Sequence, residues 1–218
     1  MGKQYAVLGM GSFGFSLAIE LEKLGCEVIA VDASEDRVQE IAPFVSQAMC
    51  AEMKEDGLMK SLGVRNLDGV IVALAENLEI SVLATMQAKE MGAPFVLAKA
   101  KNDMHANILK KLGADMVVFP EREMGVRIAN VLATRNFADW IELSPDYSMV
   151  EVQIPEKWIG ETLRGLNVRE TLGVNVVGMI RGGKVMVNIL PDEVFKNGDV
   201  LIIIGENETL NKFSEGTV

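Results

Sequence analysis

Histidine, cysteine and long apolar runs are all scarce in this sequence of 218 residues. The one histidine and two cysteines show neither the spacing of metal ligands nor a disulfide framework. Because Cys26 and Cys50 lie beside or within apolar strand-like runs, we expect them to be buried free thiols. The longest apolar runs, such as 70–75 and 200–204, fall far short of the roughly 20 residues of a membrane-spanning helix. We therefore expect a soluble protein.

Positive charge is scarce as well. The sequence has 21 Lys and Arg residues against 31 Asp and Glu residues, a formal charge of −10. A protein that binds nucleic acid needs a positive face to displace counterions from phosphates, so this balance argues against nucleic acid as a partner. No separate signal sequence precedes the first strand-like run, which predicts a cytoplasmic location.

Up to about residue 137, short apolar runs typical of strands alternate with stretches of helical periodicity. In the first such stretch Leu17, Ala18, Leu21 and Leu24 fall on one helical face. This alternation predicts an α/β fold with a Rossmann-like parallel sheet covered on both faces. The predicted strands are Tyr5–Leu8, Val28–Val31, Gln47–Cys50, Val70–Leu74, Phe95–Ala98 and Met116–Phe119.

The alternation of strands and helices ends after one more predicted helix, Glu121–Asn136. The apolar face of this helix carries Met124, Ile128, Val131 and Leu132. Turn signals then separate short β-type runs, and Gly182-Gly183 between two alternating runs indicates a hairpin. Only short helices fit, near 161–166 and 208–213. We predict a first domain over 1–137 and a small α+β domain over 138–218. The strands predicted in this part are Trp140–Leu143, Met149–Ile154, Val174–Ile180, Val185–Ile189 and Val200–Ile204.

A glycine-rich segment between the first strand and the first helix fits the pattern G-x-G-x-x-G. The pattern is weak alone, but a strand before it and a helix after it indicate a dinucleotide-type turn. Gly9 permits the tight turn, Gly11 lets a phosphate approach the backbone, and Gly14 lets the helix pack closely. The free N–H groups and the positive end of the helix dipole then face the phosphates.

An acid stands at the expected distance from this turn. Asp32 closes the second strand, 18 residues after Gly14, where a carboxylate accepts hydrogen bonds from ribose hydroxyls. An acid at this place repels a 2′-phosphate, which disfavours NADP. Together the turn and the acid predict a site for an adenine nucleotide.

Two further residues have two readings each. Ser12 either donates its hydroxyl to a phosphate or caps the helix. Glu121, directly after Pro120, either stands near the ligand or is an ordinary acid in a first helical turn.

Groups that carry out catalysis are hard to find. The single histidine, His105, lies early in a helix with apolar partners, which favours a packed or surface histidine over an acid–base catalyst. No serine nucleophile elbow, no paired carboxylates at useful spacing and no metal cluster stand out in the sequence. A nucleotide site without such a group suggests a sensor rather than an enzyme.

A series of motifs in a fixed order resembles a known family. It comprises Gly9–Gly14, Asp32, Leu62-Gly63, Val70-Ile71-Val72-Ala73, Lys110-Lys111-Leu112-Gly113-Ala114-Asp115, Pro120-Glu121 and Gly198-Asp199-Val200-Leu201. The chain resembles, over essentially its whole length, the RCK proteins (regulators of potassium conductance), above all the cytosolic gating subunits of Ktr/Trk potassium-uptake systems.

The resemblance implies a Rossmann domain followed by an RCK C domain, with the helix after the sixth strand crossing to a neighbouring subunit. It implies homodimers that assemble into an octameric ring beneath a membrane potassium-translocating subunit. ATP or ADP, or NAD(H), would change the shape of the ring and so the activity of the channel.

The resemblance also implies roles for particular residues. Asp32 would hold the ribose, and the segment from Gly11 through Ser12 and Phe13 to Gly14 would hold the phosphates. Glu121 would stand near the phosphates, where an acid in some members helps to hold a metal cation. The other candidates are Ala51 in the nucleotide site, Lys99 and Lys101 as phosphate partners, and Arg169 and Asn175 as contacts for cyclic di-AMP.

One residue departs from the family pattern. Many Ktr-type members carry an arginine just after the second glycine of the turn, where this sequence has Ser12. The preference among adenine nucleotides therefore stays open. Two other functions also stay open: an NAD-dependent oxidoreductase with a small second domain, and a standalone cytosolic nucleotide sensor.

Overall fold

The computed structural model describes residues 2–55, 57–133 and 137–214. The chain divides into two compact units, the first ending at Pro120 and the second beginning at Glu121. Among the described residues, no helix is both long enough and apolar enough to cross a membrane.

The first unit contains the parallel sheet that the sequence predicts. Its strands are β1 Gln4–Leu8, β2 Glu27–Asp32, β3 Gln47–Cys50, β4 Gly69–Val72, β5 Val96–Lys99 and β6 Met116–Val118. The strand order is β3-β2-β1-β4-β5-β6, and every neighbouring pair is parallel. This order places the topological switch point of a Rossmann sheet between β1 and β4, and ligands bind at the carboxyl ends of the strands at such a point.

Helices cover both faces of this sheet. They are α1 Ser12–Lys23, α2 Glu35–Ile41, α3 Leu58–Ser61, α4 Leu78–Glu90 and α5 Asp103–Lys111. Successive residues of β1 enter different cores, since Ala6 and Leu8 pack in one apolar cluster and Val7 packs in the other. Because both faces are buried, the central strands are mostly apolar rather than alternating, which explains why they are visible in the sequence.

The second unit starts in the long helix α6 Pro120–Ala133, whose predicted last residues, 134–136, lie outside the described residues. Its antiparallel sheet has the order β10-β9-β11-β8-β7. Short helices and an apolar core that includes Trp158 and Phe195 cover this sheet. The elements are β7 Phe137–Glu142, β8 Tyr147–Gln153, α7 Leu163–Leu166, α8 Val168–Leu172, β9 Asn175–Arg181, β10 Lys184–Met186, β11 Val200–Glu206 and α9 Asn207–Ser214.

The predicted hairpin is confirmed. Gly182 and Gly183 both have positive φ, 56° and 75°, and join β9 to β10 with Arg181 opposite Lys184. A positive φ at both central residues is the geometry of a type I′ turn, which only glycine and a few polar residues adopt easily.

Three expectations need correction. Cys50 is exposed at the end of the edge strand β3 and Cys26 is half-buried, so neither free thiol belongs to the core. β4 ends at Val72, two residues before the predicted end at Leu74, whose side chain lies beside Gly9. The helix α8 was not predicted: Asn167, with φ 44°, breaks what would otherwise be one helix into α7 and α8.

The predicted domain boundary at 137/138 stays a prediction. The division of the described chain at Pro120 groups α6 with the second unit, whereas the prediction places this helix at the end of the first domain. The helix α6 has no buried residue, and Met124, Ile128 and Leu132 on its apolar face are half exposed or more.

Candidate nucleotide-binding site

The glycine turn has the geometry that its sequence predicts. Gly9 follows β1 with φ 98°, and its N–H donates to the carbonyl oxygen of Val31 in β2 at 2.7 Å. A Cβ at Gly14 would overlap the carbonyl oxygen of Gly9 and lie 3.0 Å from the Cβ of Ala73. Glycine at both positions therefore lets α1 start directly against the turn, so that its N-terminus faces the switch point.

The space in front of the turn is open at the second glycine. Outside its chain neighbours, no described atom lies within 4 Å of a Cβ built on Gly11. Gly11 is the N-cap residue of α1 and has no side chain with which to cap the helix. Its neighbour Ser12 is exposed and is the first helical residue, so the reading of Ser12 as the helix cap is wrong. The other reading, in which Ser12 donates to a phosphate, stays a prediction.

A hydrogen bond joins Asp32 to the glycine turn. It is the last residue of β2 and is only 5% exposed. One carboxylate oxygen, Oδ2, accepts a hydrogen bond from the backbone N–H of Met10 at 2.6 Å, and Oδ1 accepts from the N–H of Ser34 at 2.9 Å. The guanidinium of Arg37 lies 3.6 Å from Oδ2. These donors hold the carboxylate at the carboxyl edge of the sheet, where the sequence predicts the ribose to bind.

Ala51 joins the same group through its backbone. It directly follows β3, and its N–H donates to the carbonyl oxygen of Asp32 at 3.0 Å. Ala51 is half-buried, and its small side chain packs against the apolar cluster under the sheet edge. The structure thus brings Gly9, Gly14, Asp32 and Ala51 together, although the sequence places them far apart.

Positive charge lies beside the turn. Lys99 is the last residue of β5, and its ammonium nitrogen stands 5.8 Å from the centre of the Phe13 ring, within the range of a cation–π interaction. Phe13 is the second residue of α1, so this contact draws Lys99 towards the glycine turn. Lys101 is exposed in the loop between β5 and α5.

Glu121 belongs to the second unit, as the second residue of α6. The described residues contain no group of three or more His, Cys, Asp or Glu side chains that could hold a metal. The role of Glu121 near a cation stays a prediction.

His105 is a packed histidine. It is 2% exposed, and its ring nitrogens lie 3.2 Å from the Ser81 hydroxyl and 3.3 Å from the backbone nitrogen of Lys101. Burial lowers the pKa of His105 below its ordinary value of 6.5, so the ring is neutral near pH 7. A ring that is buried and already bonded on both nitrogens is poorly placed to exchange a proton with a substrate.

The two residues predicted to contact cyclic di-AMP come together in the second unit. Arg169 in α8 and Asn175 at the start of β9 line one groove of about 460 Å³. Apolar walls from Val168, Val174 and Pro191 complete it. At the rim of the groove, Arg164 forms a bidentate ion pair with Asp192.

Sequence reasoning missed the residues that hold the site in place. Ser34 caps α2 by accepting a hydrogen bond from the Arg37 N–H, a role that a serine before two acids indicates in a sequence. The approach of the Arg37 side chain to Asp32 and the hydrogen bond between His105 and Ser81 have no signal in the sequence, because they join different elements.

Comparison with known proteins identifies the family to which the chain belongs. The model of the TrkA-N domain matches residues 5–120 and that of the TrkA-C domain matches residues 147–215. The chain is 40% identical to Ktr system potassium uptake protein C of Bacillus subtilis, covering 99% of this chain and 97% of that protein. It is 36% identical to Ktr system potassium uptake protein A of the same organism, covering 97% and 95%.

Solved structures agree on the fold. The RCK domain of GsuK aligns with a TM-score of 0.70 at 17% identity, covering 99% of this chain and 47% of that chain. The GsuK channel bound to NAD aligns with a TM-score of 0.66 at 16% identity, covering 96% and 38%. This chain therefore spans about half or less of those structures, and the likeness concerns the fold alone. The two domain matches and the full-length similarity to the Ktr proteins show that the chain belongs to the RCK family of Ktr- and Trk-type potassium-uptake proteins.

Proposed function

We propose that this protein is a nucleotide-sensing regulatory subunit of a potassium-uptake channel or transporter, and not an enzyme. The observation that carries the proposal is the hydrogen bond from the Met10 N–H of the glycine turn to the Asp32 carboxylate. The chain that contains it is similar over its full length to Ktr potassium-uptake proteins. This arrangement suits the ribose and phosphates of ATP or ADP, and NAD(H) presents the same adenosine and phosphate groups. The oxidoreductase alternative loses its one candidate proton carrier, since His105 is buried and bonded.

The phosphate end would distinguish one nucleotide from another. ATP and ADP make the same adenosine contacts, so a difference between them arises where the terminal phosphates lie. With Ser12 in place of the family's arginine, the candidate donors are the N–H groups at the start of α1, the Ser12 hydroxyl and the ammonium groups of Lys99 and Lys101. Glu121 would then bind a cation that the phosphates also bind.

Regulation needs two shapes of an assembly and a nucleotide that binds them unequally. We propose homodimers that pair through α6 and build an octameric ring on the cytoplasmic side of a membrane potassium-translocating subunit. The exposure of Met124, Ile128 and Leu132 on α6 supports this pairing, because a row of half-exposed apolar side chains usually marks an interface.

Titration of the purified full chain with ATP, ADP, NAD and NADH tests the proposal, with light scattering for mass. We expect a ring-sized assembly that binds at least one of the four, and a change in its hydrodynamic radius on binding. Asp32→Ala should lower the affinity for every ligand at least tenfold, because the ribose contact is common to all of them. Asp36→Ala, which removes an exposed acid of α2, is the matched control and should bind normally. A monomer indifferent to all four would refute the proposal.

The groove in the second unit supports a second ligand, cyclic di-AMP. Its apolar walls suit adenine faces, and Arg169 and Asn175 suit phosphate and base edges. We expect Arg169→Ala to weaken binding of cyclic di-AMP at least tenfold and to leave ADP binding intact, whereas Asp32→Ala should do the reverse. Equal loss of both ligands in either variant would contradict two separate sites.

A further inference from the structure

The geometry shows which nitrogen of the His105 imidazole accepts a hydrogen bond and which one donates. Its Nδ1 lies 3.3 Å from the backbone nitrogen of Lys101, and a backbone N–H can only donate. Nδ1 therefore accepts, and the proton of the neutral ring is on Nε2, which donates to Ser81 Oγ at 3.2 Å. The side chain has no freedom to choose other partners, because it is 2% exposed and Ser81 is fully buried.

One of these hydrogen bonds reaches the loop that follows Lys99 and contains Lys101, the two lysines predicted to bind phosphate. Lys99 ends β5 and α5 begins at Asp103, so Lys101 is in the middle of a short connection. The connection is held at one end by the bond from Ala100 N to Val118 O at 2.9 Å and at the other by Asn102, which caps α5. The bond to His105 holds the middle, at Lys101, whose side chain is exposed.

The other bond reaches the helix that follows β4. Ser81 is in the first turn and a half of α4, and its N–H donates to the carbonyl of Asn77 at 3.0 Å. The segment leading into α4 contacts the glycine turn, since Ala73 lies against Gly14 and Leu74 against Gly9. His105 thus connects the two loops that border the turn.

From this placement we propose that His105 is a positioning residue for nucleotide phosphates: through the backbone of Lys101 it holds the β5–α5 loop, which follows Lys99 and contains Lys101, at the phosphate end of the site. The inference rests on the proposed nucleotide site and adds to it a residue that never touches the ligand. A histidine that only filled space would stabilise the fold without favouring phosphate-bearing ligands over adenosine.

Two amide substitutions separate the two bonds. In His105→Asn the amide oxygen stands where Nδ1 stood, so the bond from Lys101 N–H is kept and the bond to Ser81 is lost. In His105→Gln the longer side chain reaches Ser81, and the bond from Lys101 is lost. Each variant gives up one hydrogen bond and some packing, so the two are matched controls for each other.

The measurement is the ratio of the dissociation constants of adenosine and ADP, obtained by calorimetry on the full chain. We expect His105→Asn to keep this ratio within about twofold of the wild type, and His105→Gln to reduce it about threefold to tenfold, the effect of losing one neutral hydrogen bond. Equal ratios in all three proteins would overturn the inference. If the wild-type chain bound neither adenosine nor ADP, the proposed nucleotide site itself would be refuted.

A second measurement needs no variant. His105 is the only histidine, so a protein made without a histidine tag and labelled with ¹³C-histidine has a single imidazole signal. We expect saturating ADP to shift that signal and saturating adenosine to leave it nearly unchanged, because only the phosphates would pull on the Lys101 loop. A shift of the same size with adenosine, or no shift with ADP, would overturn the inference even if His105→Gln does not fold.

Discussion

Replacement of Arg181 by methionine should destabilise the second unit strongly. The Arg181 guanidinium donates to both carboxylate oxygens of Asp199, at 2.8 and 2.7 Å, to Glu193 at 2.6 Å and to the carbonyl of Val194 at 2.9 Å. Asp199 is 1% exposed, and without Arg181 the hydrogen bond that it keeps from the backbone N–H of Lys196 is far too little for a buried charge.

The expected cost follows from that burial. Removing one partner of a buried ion pair leaves an uncompensated charge and costs about 3–5 kcal/mol in the free energy of unfolding. Arg164→Met is the matched control. Arg164 also forms a bidentate ion pair, with Asp192, but the side chains of this pair are 68% and 71% exposed. An exposed pair contributes about 0–1 kcal/mol, so the control should unfold almost like the wild type.

Urea unfolding followed by tryptophan fluorescence is the assay. The chain has two tryptophans, Trp140 and Trp158, and both are in the second unit, so the signal reports that unit alone. At a slope of about 2 kcal/mol per molar urea, Arg181→Met should lower the midpoint by about 2 M. All proteins are compared at one subunit concentration, because assembly adds to apparent stability.

The pH dependence gives a check on the cause. Hydrogen bonds from Arg181 hold the pKa of Asp199 below its ordinary value of 3.8. A lowered folded-state pKa stabilises the protein above the unfolded value and loses that effect as the pH falls through the folded value. The gap between wild type and Arg181→Met should therefore narrow below about pH 4. A loss below about 1 kcal/mol at pH 7, equal to that of the control, would refute the reasoning.

Three further outcomes are expected. Gly14→Ala should abolish nucleotide binding and lower the melting temperature, because its Cβ overlaps a carbonyl oxygen of the turn, whereas Gly11→Ala, which has open space, should melt normally and lose affinity only for phosphate-bearing ligands. Acid should destabilise the first unit as the pH falls below about 6.5, since the folded state keeps His105 neutral and the unfolded chain takes up its proton; His105→Asn should flatten this dependence between pH 7 and 5 in hydrogen-exchange measurements. Iodoacetamide should alkylate Cys50 before Cys26, as mass spectrometry would show.

Much of the first unit could be predicted because its signals are local. Strands buried on both faces are apolar throughout, and a glycine turn followed by an acid at the end of β2 is a pattern within 32 residues. The hairpin at Gly182 was predictable for the same reason, since φ above zero at two successive positions restricts the residue types.

Exposure was harder to predict than secondary structure. Cys50 is in a strand, as expected, but β3 is the edge of the sheet, and which strand takes the edge depends on the order in which the strands pair. Ser12 is near a helix start, as expected, but whether it or Gly11 is the N-cap depends on where the backbone leaves the turn.

The sequence by itself determined that the chain forms a parallel sheet with a glycine turn after its first strand and Asp32 at the end of its second, and that the chain resembles a potassium-uptake family. Only the tertiary structure decided what holds the site: Met10 bonds to Asp32, 22 positions along the chain, and Ser81 bonds to His105, 24 positions along. Local patterns restrict backbone angles and burial, which a sequence records directly. A hydrogen bond between side chains on different elements forms only where the packing of those elements brings two atoms within about 3 Å, and no single segment contains that information.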